Sequence, residues 1–199
     1  MKKRAVLLCS LVLAMCFTFF WSAWAAQRSL ADKLVRLHVI ANSDSEADQA
    51  LKLEVRDAVL AEAEILLADC KTQVEAQAAL QDALPALEEM AIRTLEENSC
   101  GDTVSASLSR ELYPKRTYES FSLPAGEYLS LRLTIGEGAG QNWWCVVFPP
   151  LCLAATTEEF DQSAAEAGFS DEELALIKEE SDGVLIRFKV VEWVENLFG

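Results

Sequence analysis

Histidine is nearly missing from this sequence: His38 is the only one in 199 residues. A Cys2His2 zinc site is therefore excluded, and any chemistry that needs an imidazole must pass through His38. Basic residues are scarce as well, with 17 Lys+Arg against 32 Asp+Glu and a net charge of −15. Residues 1–26 hold three of the basic residues and none of the acids, so the remainder carries 14 against 32, a net −18. Phosphate backbones and anionic lipid surfaces repel such a body, and no nucleic-acid partner is expected. Common catalytic signatures are missing: there is no G-x-S-x-G, no H-E-x-x-H, no Walker loop and no C-x-x-C. The run Gly136-Glu137-Gly138-Ala139-Gly140 lacks both the lysine and the following helix of a phosphate cradle. No repeat and no low-complexity linker interrupts residues 27–199, which read as a single domain large enough to bury a core.

What is present begins at the N-terminus. Lys2, Lys3 and Arg4 precede 22 uncharged residues, 5–26, and Ala23-Trp24-Ala25 forms an A-x-A cleavage pattern between Ala25 and Ala26. A positive head, an apolar centre and a small-residue exit are the marks of a secretory signal. The same run is long enough to span a bilayer, and Phe17, Phe19, Phe20, Trp21 and Trp24 would suit its interfacial end. Residues 1–26 are thus a signal peptide or an N-terminal membrane anchor, and both readings place residues 27–199 outside the cytoplasm.

Residues 34–41 alternate, with Val35, Leu37 and Val39 on one side and Arg36, His38 and Ile40 on the other, the period of a strand. Ser43 and Glu46 have the spacing of a capping box, and a helix is expected from there to about residue 67. Residues 72–98 are helical again, with Pro85 expected to open a second piece, or to kink a single helix. Residues 103–109, 127–135 and 143–148 alternate or run apolar as strands. Ser170 and Glu173 form a second capping box, and residues 184–190 make a last strand. The sum is an α+β fold: a mainly antiparallel sheet with a helical layer on one face, preceded by an apolar export helix.

Few residues invite a chemical role. Asn42, Asp44, Glu46 and Asp48 alternate like the start of a calcium loop, but Ala47 stands where that loop needs glycine and Leu53 where it needs glutamate. No metal, no cofactor and no catalytic residue is assigned. Cys145 and Cys152 are a candidate disulfide, which requires the chain to reverse at Pro149-Pro150, since seven extended residues span about 23 Å. Cys70 and Cys100 bracket mostly helical sequence and meet only if the chain folds back at Pro85.

Two segments are more specific. The first is Leu34-Val-Arg-Leu-His-Val-Ile-Ala-Asn-Ser-Asp-Ser45 with Asp48-Gln49-Ala50-Leu51-Lys52 and Val55-Arg56-Asp57. The second is Leu123-Pro-Ala-Gly-Glu127, Ile135-Gly-Glu-Gly138 and Asn142-Trp-Trp-Cys-Val-Val-Phe-Pro-Pro-Leu-Cys152. Together they resemble the stage II sporulation protein R family of endospore-forming Firmicutes. The resemblance implies a non-enzymatic signal, made in the forespore and exported to the space between forespore and mother-cell membranes. Its partner there would be a membrane-embedded peptidase, stage II sporulation protein GA, which processes the sigma-E precursor. An exported hydrolase and a membrane-tethered scaffold are the rival readings. The partner-binding surface is expected at the corner Arg36, His38, Asn42, Ser43, Asp44, Asp48, Gln49, Lys52 and Arg56. The loop bearing Gly136, Glu137, Gly138, Asn142, Trp143, Trp144, Pro149 and Pro150 is expected to complete it. A polar network that merely fixes strand to helix would use the same corner residues.

Overall fold

A computed structural model describes residues 2–118, 121–151 and 157–178. The predicted strand 184–190 and Cys152, with its candidate bridge, lie outside them. The described chain packs as two compact units, one formed by Ala31–Tyr113 with Glu127–Phe169, the other by the N-terminal segment to Leu30, Pro114–Gly126 and the chain from Ser170.

The larger unit is built on a four-stranded sheet in the order β2 (Val104–Tyr113), β5 (Gly126–Ile135), β1 (Val35–Ile40), β6 (Asn142–Phe148). The sheet is mixed, which corrects the expected mainly antiparallel one. β1 runs antiparallel to β6, but parallel to β5 with Leu37 opposite Leu131 and His38 opposite Arg132. Parallel neighbours need a long crossover, and α2 (Glu46–Leu67) and α3 (Gln73–Glu97) lie in the chain between β1 and β5. Alternation reports which face a side chain takes but not the direction of the neighbouring strand, so the sequence pattern could not reveal this.

Alternation did report the faces. Val35, Leu37 and Val39 join Leu129, Leu131, Leu133 and Ile135, with Cys145 and Val147, in one apolar layer. α2 covers it with Val55, Val59, Leu60, Ala63 and Leu67, and α3 with Ala76, Leu80, Leu87, Ala91 and Leu95. The three- and four-residue spacings put each set on one helix face, and each fully buried leucine contributes about 1.5–3 kcal/mol. The other face of the sheet carries Arg36, His38, Tyr128, Ser130, Arg132 and Trp144.

Three local expectations change. The N-cap of α2 is Ser45, whose hydroxyl accepts from the Asp48 amide at 3.1 Å, not Ser43. Pro85 lies inside one continuous α3, started by a capping box between Thr72 and Glu75. Because α3 does not fold back, its 25 residues hold Cys70 and Cys100 at opposite ends of a helix about 37 Å long, and both are free thiols. The capping box at Ser170 does open α5 (Asp171–Ile177), while α4 (Thr157–Glu166) was not expected from the residue pattern.

Helix α1 runs over Lys2–Ala31, and up to Leu30 it belongs to the smaller unit. Among the described residues no helix is long and apolar enough to cross a membrane. The helix changes character near the A-x-A pattern. Leu11, Leu13, Met15, Phe17 and Trp21 are at least 60% exposed and Trp24 is 46% exposed, whereas Gln27 is 7% exposed and Leu30 is fully buried. Gln27 donates to the Ala125 carbonyl and Ser29 to the Glu173 carboxylate at 2.8 Å. β3 (Arg116–Thr117) and β4 (Ser122–Leu123) form a small hairpin, where Tyr118 stacks on Phe121 at 4.6 Å.

Candidate partner-binding surface

The corner and the glycine loop, drawn from distant parts of the sequence, are one structure. Asn42 anchors it. Its side-chain amide donates to Asp48 at 3.2 Å, its Oδ1 accepts from the Glu137 amide at 2.9 Å, and its carbonyl accepts from the Ala139 amide at 3.0 Å. Ser43 donates to the same Asp48 oxygen at 2.5 Å, and Gln49 donates to the Ser43 carbonyl at 2.8 Å. Lys52 is buried and donates to Gln49 Oε1 at 2.5 Å and to the Gln141 carbonyl at 3.1 Å.

These groups face each other, and their protonation follows. The Ser43 hydroxyl, aided by Asn42 and Ser45, holds the Asp48 carboxyl below the usual range against the opposing effect of burial. Burial pushes the Lys52 ammonium down, opposed by Asp44 and assisted by Arg56. The glycines are there because the loop lies against the corner. A Cβ on Gly136, whose φ is +55°, would sit 2.2 Å from Asn42 Oδ1, and one on Gly140 would sit 2.2 Å from the Ser43 carbonyl oxygen. The corner is thus a latch tying β1, α2 and the β5–β6 loop together. Of the corner candidates, Asp44 is the exposed one.

A second cluster lies on the polar face of the sheet. His38 Nδ1 is 3.1 Å from Glu111 Oε2, and Nε2 is 2.8 Å from Asn142 Oδ1. The other Glu111 oxygen accepts from Arg132 at 3.2 Å. The His38 ring stacks on Trp144 at 5.6 Å and meets Tyr113 edge-on at 6.0 Å. Arg36, expected at a surface, is fully buried; its guanidinium lies 3.9 Å from the Tyr113 ring centroid and 5.0 Å from that of Tyr128. The Tyr113 and Ser130 hydroxyls are 2.6 Å apart. Glu111, Arg132, Tyr113 and Tyr128 were missed as site residues. Strand β2 continues past Ser109, where the sequence pattern ended it, and that continuation delivers Glu111 and Tyr113.

Trp143 and Trp144 point to opposite faces, as strand neighbours must. Trp143 remains 38% exposed with the Arg56 guanidinium 4.4 Å over its ring. Pro150 is exposed and Pro149 buried at the end of β6. The surface-accessible candidates are therefore Asp44, Glu137, Asn142, Trp143 and Pro150, with His38 half-buried among them.

The family model described as stage II sporulation protein R matches residues 31–158. The chain belongs to that family. The match begins where the larger unit begins and takes in its sheet, its two long helices and both clusters. The stage II sporulation protein R of Bacillus subtilis (strain 168) is 33% identical over 190 residues, covering 85% of this chain and 83% of that one. No solved structure matches the chain.

Proposed function

We propose that this chain is an exported sporulation signal that activates a membrane-embedded peptidase, stage II sporulation protein GA, which processes the sigma-E precursor in the mother cell. Membership of the stage II sporulation protein R family carries this reading. The N-terminus supports the export step. Leu11, Leu13, Met15, Phe17, Trp21 and Trp24 are exposed along α1, and the buried, hydrogen-bonded part starts at Gln27. A cut between Ala25 and Ala26 removes the exposed segment and keeps the docked turn. Large exposed apolar side chains otherwise demand a membrane or a partner, which is the retained-anchor alternative. The protein then acts in the space between forespore and mother-cell membranes, by contact rather than by chemistry.

The test is in sporulating cells. His38→Ala and Trp143→Ala are introduced singly, secretion and folding are checked, and sigma-E processing is followed by immunoblot. At least one folded, secreted variant should lose processing. Normal processing by both would remove this surface from the contact.

One observation favours the hydrolase reading: His38 does sit beside a carboxylate, Glu111, as a catalytic imidazole requires. Yet its other nitrogen faces the Asn142 amide oxygen, not a hydroxyl or thiol nucleophile. Purified chain that degrades septal wall material, and loses this on His38→Ala, would favour the enzyme; the signalling reading expects no turnover.

A further inference from the structure

A cavity of about 600 Å3 opens in the larger unit among the C-terminal end of α2, the end of β6 and α4. That volume lies in the range of binding pockets. Its floor is apolar, made by Leu67, Val147, Phe148 and Pro149, all buried. Its rim is acidic. Glu64 on α2 and Glu166, the last residue of α4, are both exposed at its mouth, and Gln162 steadies Glu166 with a 3.0 Å hydrogen bond.

Backbone charge adds to the rim. Both helices end in the cavity wall, α2 at Leu67 and α4 at Glu166. A helix C-terminus carries roughly half a negative charge, and neither helix has a basic residue in its last turn. Among the described residues of the lining Lys71 is the cation, one charge against two carboxylates. Glu75 nearby accepts from the Lys71 backbone amide at 2.7 Å, and its carboxyl is held below the usual range chiefly by that bond, with the Lys71 charge assisting. An anionic ligand is repelled here. A purely apolar one leaves the rim unmatched. Among the described residues no group of His, Cys, Asp or Glu side chains could hold a metal ion.

We infer that this cavity is a docking socket for a segment of a partner protein that presents an apolar side chain flanked by lysine or arginine. The apolar side chain enters over Leu67 and Phe148, and the flanking cations meet Glu64 and Glu166. The inference deepens the signalling reading by giving the chemistry of the inserted segment, and rests on that reading only for who the partner is. Cys70 also lines the cavity. Burial, with Glu75 and Asp69 assisting, pushes its thiol up, so its alkylation is slow at neutral pH and reports on access.

The test uses the full chain in non-ionic detergent and two fluorescein-labelled peptides, Lys-Leu-Arg-Leu-Lys and Glu-Leu-Glu-Leu-Glu, followed by fluorescence anisotropy. The basic peptide should bind and the acidic one should not. Glu64→Gln with Glu166→Gln should weaken binding about three- to tenfold, the effect of two partly exposed charge pairs. Glu96→Gln with Glu97→Gln, the same loss of charge elsewhere, should leave it unchanged. Bound peptide should slow alkylation of Cys70, read by mass spectrometry of the modified peptide. Equal weakening by both double variants, or a Cys70 rate unaffected by peptide, overturns the socket. Neither the peptidase nor a sigma factor is in this assay, so its failure counts against the socket alone and leaves the signalling role to its own test.

Discussion

At the scale of single residues, Asp48 and Gly140 carry the latch. Asp48 accepts from Asn42 and Ser43, and its carboxyl is held below its ordinary value of 3.8. Between the folded and unfolded pKa the unfolded chain binds more protons, so stability rises with pH there. The Asp48 contribution is therefore complete above about 3.8 and lost as pH falls through the lower folded value. Asp48→Asn should lower Tm at pH 7, with the gap to the parent shrinking below pH 3.8; a gap independent of pH would show that the carboxylate charge is not what matters. Gly140→Ala forces a Cβ against the Ser43 carbonyl. It should cost about 1–3 kcal/mol in denaturant unfolding, whereas Gly101→Ala, with open space around it, should cost little.

At the scale of elements, the core is the simplest case. Leu131 is fully buried and pairs across β5 and β1 with Leu37. Leu131→Ala should cost about 2–5 kcal/mol, and Leu112→Ala, 84% exposed on β2, almost nothing. The burial of Leu131 was legible in the sequence, because alternation over residues 127–135 sorts it from Arg132 by itself. Helix α2 was legible to its last residue, since a serine-rich start and an alanine–leucine–glutamate body are local signals. Pairing direction was not, because it depends on where β1 lies in the sheet, and β1 lies between β5 and β6. The interior position of Pro85 was not legible either: a proline marks a helix start or a tolerated interruption with the same letter. Of the site, the sequence brought together Arg36 with His38, and Asn42 with Asp48. It could not foresee that the glycine loop closes on Asn42, or that Glu111 reaches His38 across 73 positions. Contacts at such separation leave no local periodicity to read.

At the scale of the whole molecule, the N-terminal helix joins the export reading to the fold. A chain beginning at Ala26 keeps Gln27 on Ala125 and Ser29 on Glu173, while one beginning at Asp32 loses both, together with buried Leu30 and Ala31. The first should match the complete chain in thermal stability and the second should melt several degrees lower, consistent with losing about 1.5–3 kcal/mol from Leu30 alone. Equal melting temperatures would mean that the helix end is not part of the fold. Everything proposed for function depends on the folded body signalling from outside the cytoplasm. The decisive experiment is sigma-E precursor processing in sporulating cells whose own family member is replaced by this chain, with and without residues 1–25. Processing is expected with the complete chain and none with the leaderless one, although both fold. Processing by the leaderless chain, or its failure with an exported and folded one, would contradict an extracytoplasmic signal.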